Sequence, residues 1–195
     1  MRKQIIAIVF LLTITFTWES YGQQEAQYTQ YMYNTLSINP AYAGSRGVFS
    51  FTGLHRSQWV GLEGAPQTQT LNVHAPTSET GKIGLGLSII NDQIGPTNET
   101  NFDVAFSYTI KTSERGNLSF GLKAGGHLLD VAYSELNAYN PGDVLLQSDI
   151  ENKFSPNIGA GIYYRNSEKW YLGLSAPNLL ETKHFDESSL STAKE

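Results

Sequence analysis

The chain has 195 residues, no cysteine and a formal charge of −5. The length suits one domain, and the missing cysteines exclude disulfides, thiolate metal sites and thiol nucleophiles. An acidic balance with no basic cluster argues against a nucleic-acid partner. With 18 glycines and 11 tyrosines but only 16% charged residues, the composition favours β structure over helix.

The N-terminus has the layout of a secretory signal peptide over residues 1–22. Arg2 and Lys3 form a positive n-region, Ile5 to Phe16 is apolar apart from Thr13 and Thr15, and Ser20 and Gly22 stand at −3 and −1 of a cut before Gln23. The apolar run is short for a membrane anchor, which needs roughly 20 residues. No later stretch is long enough for a spanning helix. Exported strands remain, and these escape hydropathy plots when half of each faces a polar lumen.

Residues 23–45 precede the first strand and read as a periplasmic or plug segment. Tyr28, Met32 and Leu36 fall at helical spacing, Asn39-Pro40 initiates a turn, and Gly44 permits a positive φ. Such a short amphipathic turn fits inside a barrel, facing the periplasm, or as a plain N-terminal cap.

Alternation dominates the region 46–180. Weaker strands are predicted at Val48–Arg56 and Gln67–Ala75. Lys82–Ile90 sets Ile83, Leu85, Leu87 and Ile89 against Gly84, Gly86 and Ser88. In Thr100–Ile110, Phe102, Val104, Phe106, Tyr108 and Ile110 share one parity. The pattern recurs in segments that begin at Asn117, Asn157 and Trp170, making about seven strands. The connections Pro76–Gly81, Lys111–Gly116 and Asn166–Glu168 are short, whereas Ser57–Pro66, Asn91–Asn98 and Val131–Lys153 are long. Loops sorted in this way describe an antiparallel, up-and-down transmembrane β-barrel.

The weakly polar parity is rich in glycine: Gly84, Gly86, Gly121, Gly125, Gly159, Gly161 and Gly173. Mid-strand glycine weakens a sheet unless something packs closely against it. A narrow or plugged lumen explains it, and so does drift on a wet face. Trp59, Tyr108, Tyr164 and Trp170, with Tyr163 and Tyr171 beside them, lie near strand ends as interfacial aromatics do.

Catalytic chemistry has little support. His55, His74, His127 and His184 have no metal-ligand spacing, and neither G-x-S-x-G nor H-E-x-x-H occurs. Gly81-Lys82 lacks the rest of a phosphate loop. Asp143, Asp149 and Glu151 fit no calcium loop and read as solvated surface. The expectation is a non-enzymatic chain without cofactor or metal. A porin-like channel, a barrel lipase and a soluble exported β-barrel for a small ligand are the alternatives. Alternation alone does not say which face is inside.

Two segments carry a resemblance. Gln30-Tyr31-Met32-Tyr33-Asn34 is followed by Asn39-Pro40-Ala41-Tyr42-Ala43-Gly44, and Arg56-Ser57-Gln58-Trp59 runs on through Gly64-Ala65-Pro66. In this order they resemble the PorP/SprF family of the type IX secretion system of Bacteroidota, and Gly173-Leu174-Ser175-Ala176-Pro177-Asn178 is similar to a later element of that family. The resemblance implies a Gram-negative outer-membrane barrel that meets lipid and other type IX secretion components. It would assist export or surface attachment of an adhesin or other cargo. It marks Gln30, Tyr31, Asn34, Asn39, Pro40, Ala41, Gly44, Arg56, Gln58, Trp59 and Pro66 as motif or partner-contact positions. Family members are longer and bacterial barrels have even strand numbers. An odd count and a polar tail over 181–195 therefore predict that this sequence holds part of a barrel.

Overall fold

The computed structural model describes residues 31–78, 80–135, 149–166 and 169–180. The expected signal peptide, Gln30, Asp143, His184 and the tail 181–195 lie outside the described residues. Among the described residues, seven strands form one sheet: β1 (Ser50–Ser57), β2 (Gln67–Pro76), β3 (Ile83–Ile94), β4 (Thr97–Lys111), β5 (Gly116–Val131), β6 (Ile150–Asn166) and β7 (Trp170–Ala176). Each strand pairs antiparallel with its sequence neighbours in the order β1 to β7, and the sheet curls into a half-barrel. Among the described residues, no helix is long and apolar enough to cross a membrane.

The two parities separate by burial, and they do so inside-out. Thr68, Thr70, Asn72 and His74 of β2 are buried, as are Ser88 of β3, Asp103 and Ser107 of β4, and Ser119 and Lys123 of β5. The opposite face leaves Leu85, Val104, Phe106, Ile110, Phe120, Leu122, Ile158 and Leu174 exposed, Leu122 to 63% and Leu174 to 68%. A soluble barrel does the reverse, because water penalises a continuous apolar face of this size. The soluble, ligand-binding alternative therefore does not fit. On β4 the outward apolar run from Phe102 to Ile110 matches the roughly 9–11 residues with which a tilted strand crosses the hydrocarbon layer.

Beyond that band the outward face turns polar. Gln67 and Gln69 of β2, Asn91 and Gln93 of β3, and Asn98 and Thr100 of β4 continue the ladder. Asn91 Nδ2 donates to Asn98 Oδ1 at 2.7 Å and to Thr100 Oγ1 at 2.9 Å. This corrects the expected long loop at Asn91–Asn98. The strands run on, with Ile94 paired to Thr97 across a two-residue Gly95-Pro96 turn. Gly95 has φ +56°, the positive angle that the first central residue of a type II′ hairpin turn requires. Loops are therefore not sorted simply by length; this end of the sheet projects as paired strand instead.

The N-terminal segment lies on the inner face. It comprises a 3-10 turn at Tyr31–Tyr33, one helical turn, α1 (Thr35–Ile38), and a second 3-10 turn at Pro40–Tyr42. Asn39 caps the last of these, its Oδ1 accepting from Ala41 N–H at 3.0 Å, and Pro40 occupies the first position, where its missing N–H costs nothing.

Candidate functional site

The inner wall and the N-terminal segment are built for each other. Asn34 and Ala41 are 0% exposed, and Leu36, Asn39, Pro40 and Ala43 are buried. Asn39 Nδ2 donates to the carbonyl of Ile162 on β6 at 3.0 Å and, at 3.4 Å, to that of Leu174 on β7. Gly44 N–H donates to His74 Nδ1 at 3.1 Å, and Ser107 Oγ donates to the Ala43 carbonyl at 2.6 Å. Asn72 Nδ2 donates to Asn34 Oδ1.

Four wall glycines lie directly beneath these groups. A methyl group on Gly84 would collide with the Ala43 carbonyl, one on Gly121 with the backbone of Ala41, and one on Gly161 with the Asn39 carboxamide. On Gly86 it would stand 2.9 Å from Leu36 Cδ1. The glycine-rich parity is thus a close-approach surface, which accounts for its cost in strand stability. Gly44, at φ +69°, meets the wall from the other side: a Cβ there would fall 2.8 Å from Gly84 Cα.

One buried ion pair stands beside the segment. Lys123 Nζ lies 2.7 Å from Asp103 Oδ2, their side chains 5% and 10% exposed, and also donates to the Ser37 carbonyl at 3.4 Å. Two charges withdrawn from water need each other and further hydrogen bonds, and the α1 backbone supplies one. An inner aromatic row flanks the segment. Tyr42 meets His74 edge-on at 5.3 Å and Tyr163 at 5.4 Å, and Tyr163 meets Tyr171 at 5.6 Å. This corrects the expectation for Tyr163 and Tyr171, whose parity puts them on the inner wall rather than among outward aromatics.

The Arg56–Trp59 motif lies elsewhere. Arg56 pairs with Thr68, six residues of β2 from His74, so it stands about 20 Å along the strand from the Gly44 contact. Gln58 N–H donates to the Pro66 carbonyl at 3.0 Å and closes the 58–66 loop over a buried Pro66. Within the loop Trp59 takes φ +49° and is 70% exposed, beside exposed Val60 and Leu62. Gly95 N–H donates to the Gly64 carbonyl at 2.9 Å, and Ala132 N–H to the Pro96 carbonyl at 3.0 Å, which ties the projecting hairpins into one rim.

The two motifs therefore form two separate surfaces. Asn34, Asn39, Pro40, Ala41 and Gly44 come together on the wall, with Tyr31 at the exposed start of the segment. Arg56, Gln58, Trp59 and Pro66 gather at the rim. Tyr108, Tyr164 and Trp170 face outward at the opposite, short-turn end, where the rings of Tyr164 and Trp170 lie 5.2 Å apart. Several wall residues give no local sign in the sequence: His74, Asp103, Ser107, Lys123 and Asn157. Asn157 Nδ2 donates to the Pro177 carbonyl at 3.1 Å and to Asn178 Oδ1 at 2.5 Å, which fastens the Pro177-Asn178 element.

Asp149 is clasped by Ser134. Its carboxylate accepts from Ser134 N–H at 2.8 Å and from Ser134 Oγ at 2.7 Å, and these bonds hold it below the ordinary carboxylate range. Among the described residues, no three His, Asp or Glu side chains converge as a metal site would require.

Residues 20–195 match the family described as type IX secretion system membrane protein PorP/SprF. No curated protein and no solved structure matches the chain.

Proposed function

Because the chain belongs to the PorP/SprF family of type IX secretion membrane proteins, we propose that it works in the outer membrane, helping to export a partner adhesin or other cargo or to hold it at the surface. In this reading residues 1–22 direct export and are removed. The outward band from Ile83 and Ile110 up to Ile89 and Phe102 meets lipid, and Tyr108, Tyr164 and Trp170 mark the boundary at its short-turn end. The projecting rim faces the cell exterior, and Arg56, Gln58, Trp59 and Pro66 present the cargo-contact loop.

The observation that carries this reading is the position of Trp59. It stands beyond the polar strand ends Gln67, Gln69, Asn91 and Gln93, away from the apolar band, on a loop whose backbone is fixed by hydrogen bonds. An exposed aromatic group on a rigid loop is the kind of anchor that protein partners bury. The test is an Arg56→Ala/Trp59→Ala variant in the native host. Surface cargo is expected to fall while the barrel itself accumulates normally; unchanged cargo at normal barrel levels would defeat the proposal.

A further inference from the structure

We propose that residues 34–44 are a resident plug, that the glycine-lined inner wall of β2–β7 is its dedicated binding site, and that cargo does not travel through this lumen. The export-or-attachment reading does not require this, and the two stand or fall separately.

The seat is specific to its occupant. Gly84, Gly121 and Gly161 lack the side chains that would expel Ala43, Ala41 and Asn39. A wall that served only to line a pore would gain stability from almost any side chain at these positions. Polar matching is equally local. The Ala43 carbonyl, the Gly44 amide and the Ser37 carbonyl are each met by a wall side chain, Ser107, His74 and Lys123 respectively. Asn39 reads two strands at once through Ile162 and Leu174. Withdrawing the segment would strip partners from buried groups on both sides, and each unmatched group is costly in a site cut off from water. Withdrawal would also remove the α1 carbonyl from the buried Lys123–Asp103 pair.

The chain has no native cysteine, so an Asn34→Cys/Asn72→Cys variant can be tethered cleanly with a short bis-methanethiosulfonate, which forms a disulfide to each cysteine with loss of methanesulfinate and is cleaved by a reductant. In intact outer membranes, nearly all heat-modifiable, folded chain is expected to cross-link. With the tether in place, surface cargo is expected to stay at the level seen without reagent. Folded chain that fails to cross-link would overturn the proposal. So would cargo that falls to the level of a gene deletion when tethered and returns on cleavage. If the deletion itself leaves cargo unchanged, the secretion reading fails instead, and the cross-link still judges the plug.

Discussion

Asn39 fills the space that a side chain on Gly161 would take. Its carboxamide lies against the glycine Cα and bonds the Ile162 carbonyl next in the chain at 3.0 Å. Gly161→Ala is expected to push the segment off β6, with a stability loss of about 1–3 kcal/mol typical of overpacking. Urea unfolding in detergent or lipid measures it. Gly53→Ala on β1, where only the Phe51 ring is within reach of an added methyl, is the control and is expected to change little.

Asn39→Ala removes a donor to β6 and β7 and the acceptor for Ala41 N–H. A loss of about 1–3 kcal/mol is expected, since the buried amide and carbonyls lose their partner. Asn39→Asp should be no milder, because a carboxylate cannot donate to the Ile162 carbonyl. A stability equal to wild type in either variant would contradict the geometry.

The Lys123–Asp103 pair makes a double-mutant cycle informative. Lys123→Met or Asp103→Leu alone strands a buried charge and is expected to cost about 3–5 kcal/mol, whereas the double variant should lie much nearer to wild type. Additive losses would mean that the two side chains do not depend on each other.

Trp59 and Trp170 should report different surroundings. In a Trp18→Phe/Trp59→Phe background, Trp170 fluorescence is expected to be quenched by brominated lipids. In the Trp18→Phe/Trp170→Phe background, Trp59 should respond to aqueous iodide and not to bromolipid. Strong bromolipid quenching of Trp59 would put the 58–66 loop in the membrane and remove it as a cargo contact.

The Asp149–Ser134 clasp sets a pH dependence. Its two hydrogen bonds depress the carboxyl below its ordinary value of 3.8, so its contribution is complete above that value. It is lost as pH falls through the depressed folded-state value. Exchange at the Ser134 amide is expected to be slow at neutral pH and to speed up, beyond the intrinsic trend, only in strong acid. Asp149→Asn should weaken the protection at neutral pH. Protection that ignores both changes would exclude the clasp.

Strand placement was legible because alternation has the strand period and seven segments carry it. Facing was not, since Leu85 and Gly86 look the same whether the greasy side meets lipid or core; burial resolves it. The β3–β4 turn was hidden because Asn91, Asp92 and Gln93 are polar on both faces, which reads as loop even though all three pair with β4. Glycine marked the seat of the N-terminal segment but not its depth, because a missing side chain gives no direction of approach. His74 and Ser107 looked ordinary, for their partners are backbone atoms far away in the chain, and Lys123 did too, for its carboxylate partner Asp103 lies on the neighbouring strand 20 residues away.

The Asn39 contacts span 123 and 135 residues of sequence. Closing so long a loop is entropically late work, worthwhile only when β6 and β7 already stand side by side. Complete docking of Asn39 therefore requires β6 and β7 to be paired. Until β7 is made and aligned, Asn39 has only half its docking point, so seating of this short stretch reports that the far side of the sheet has been assembled in register.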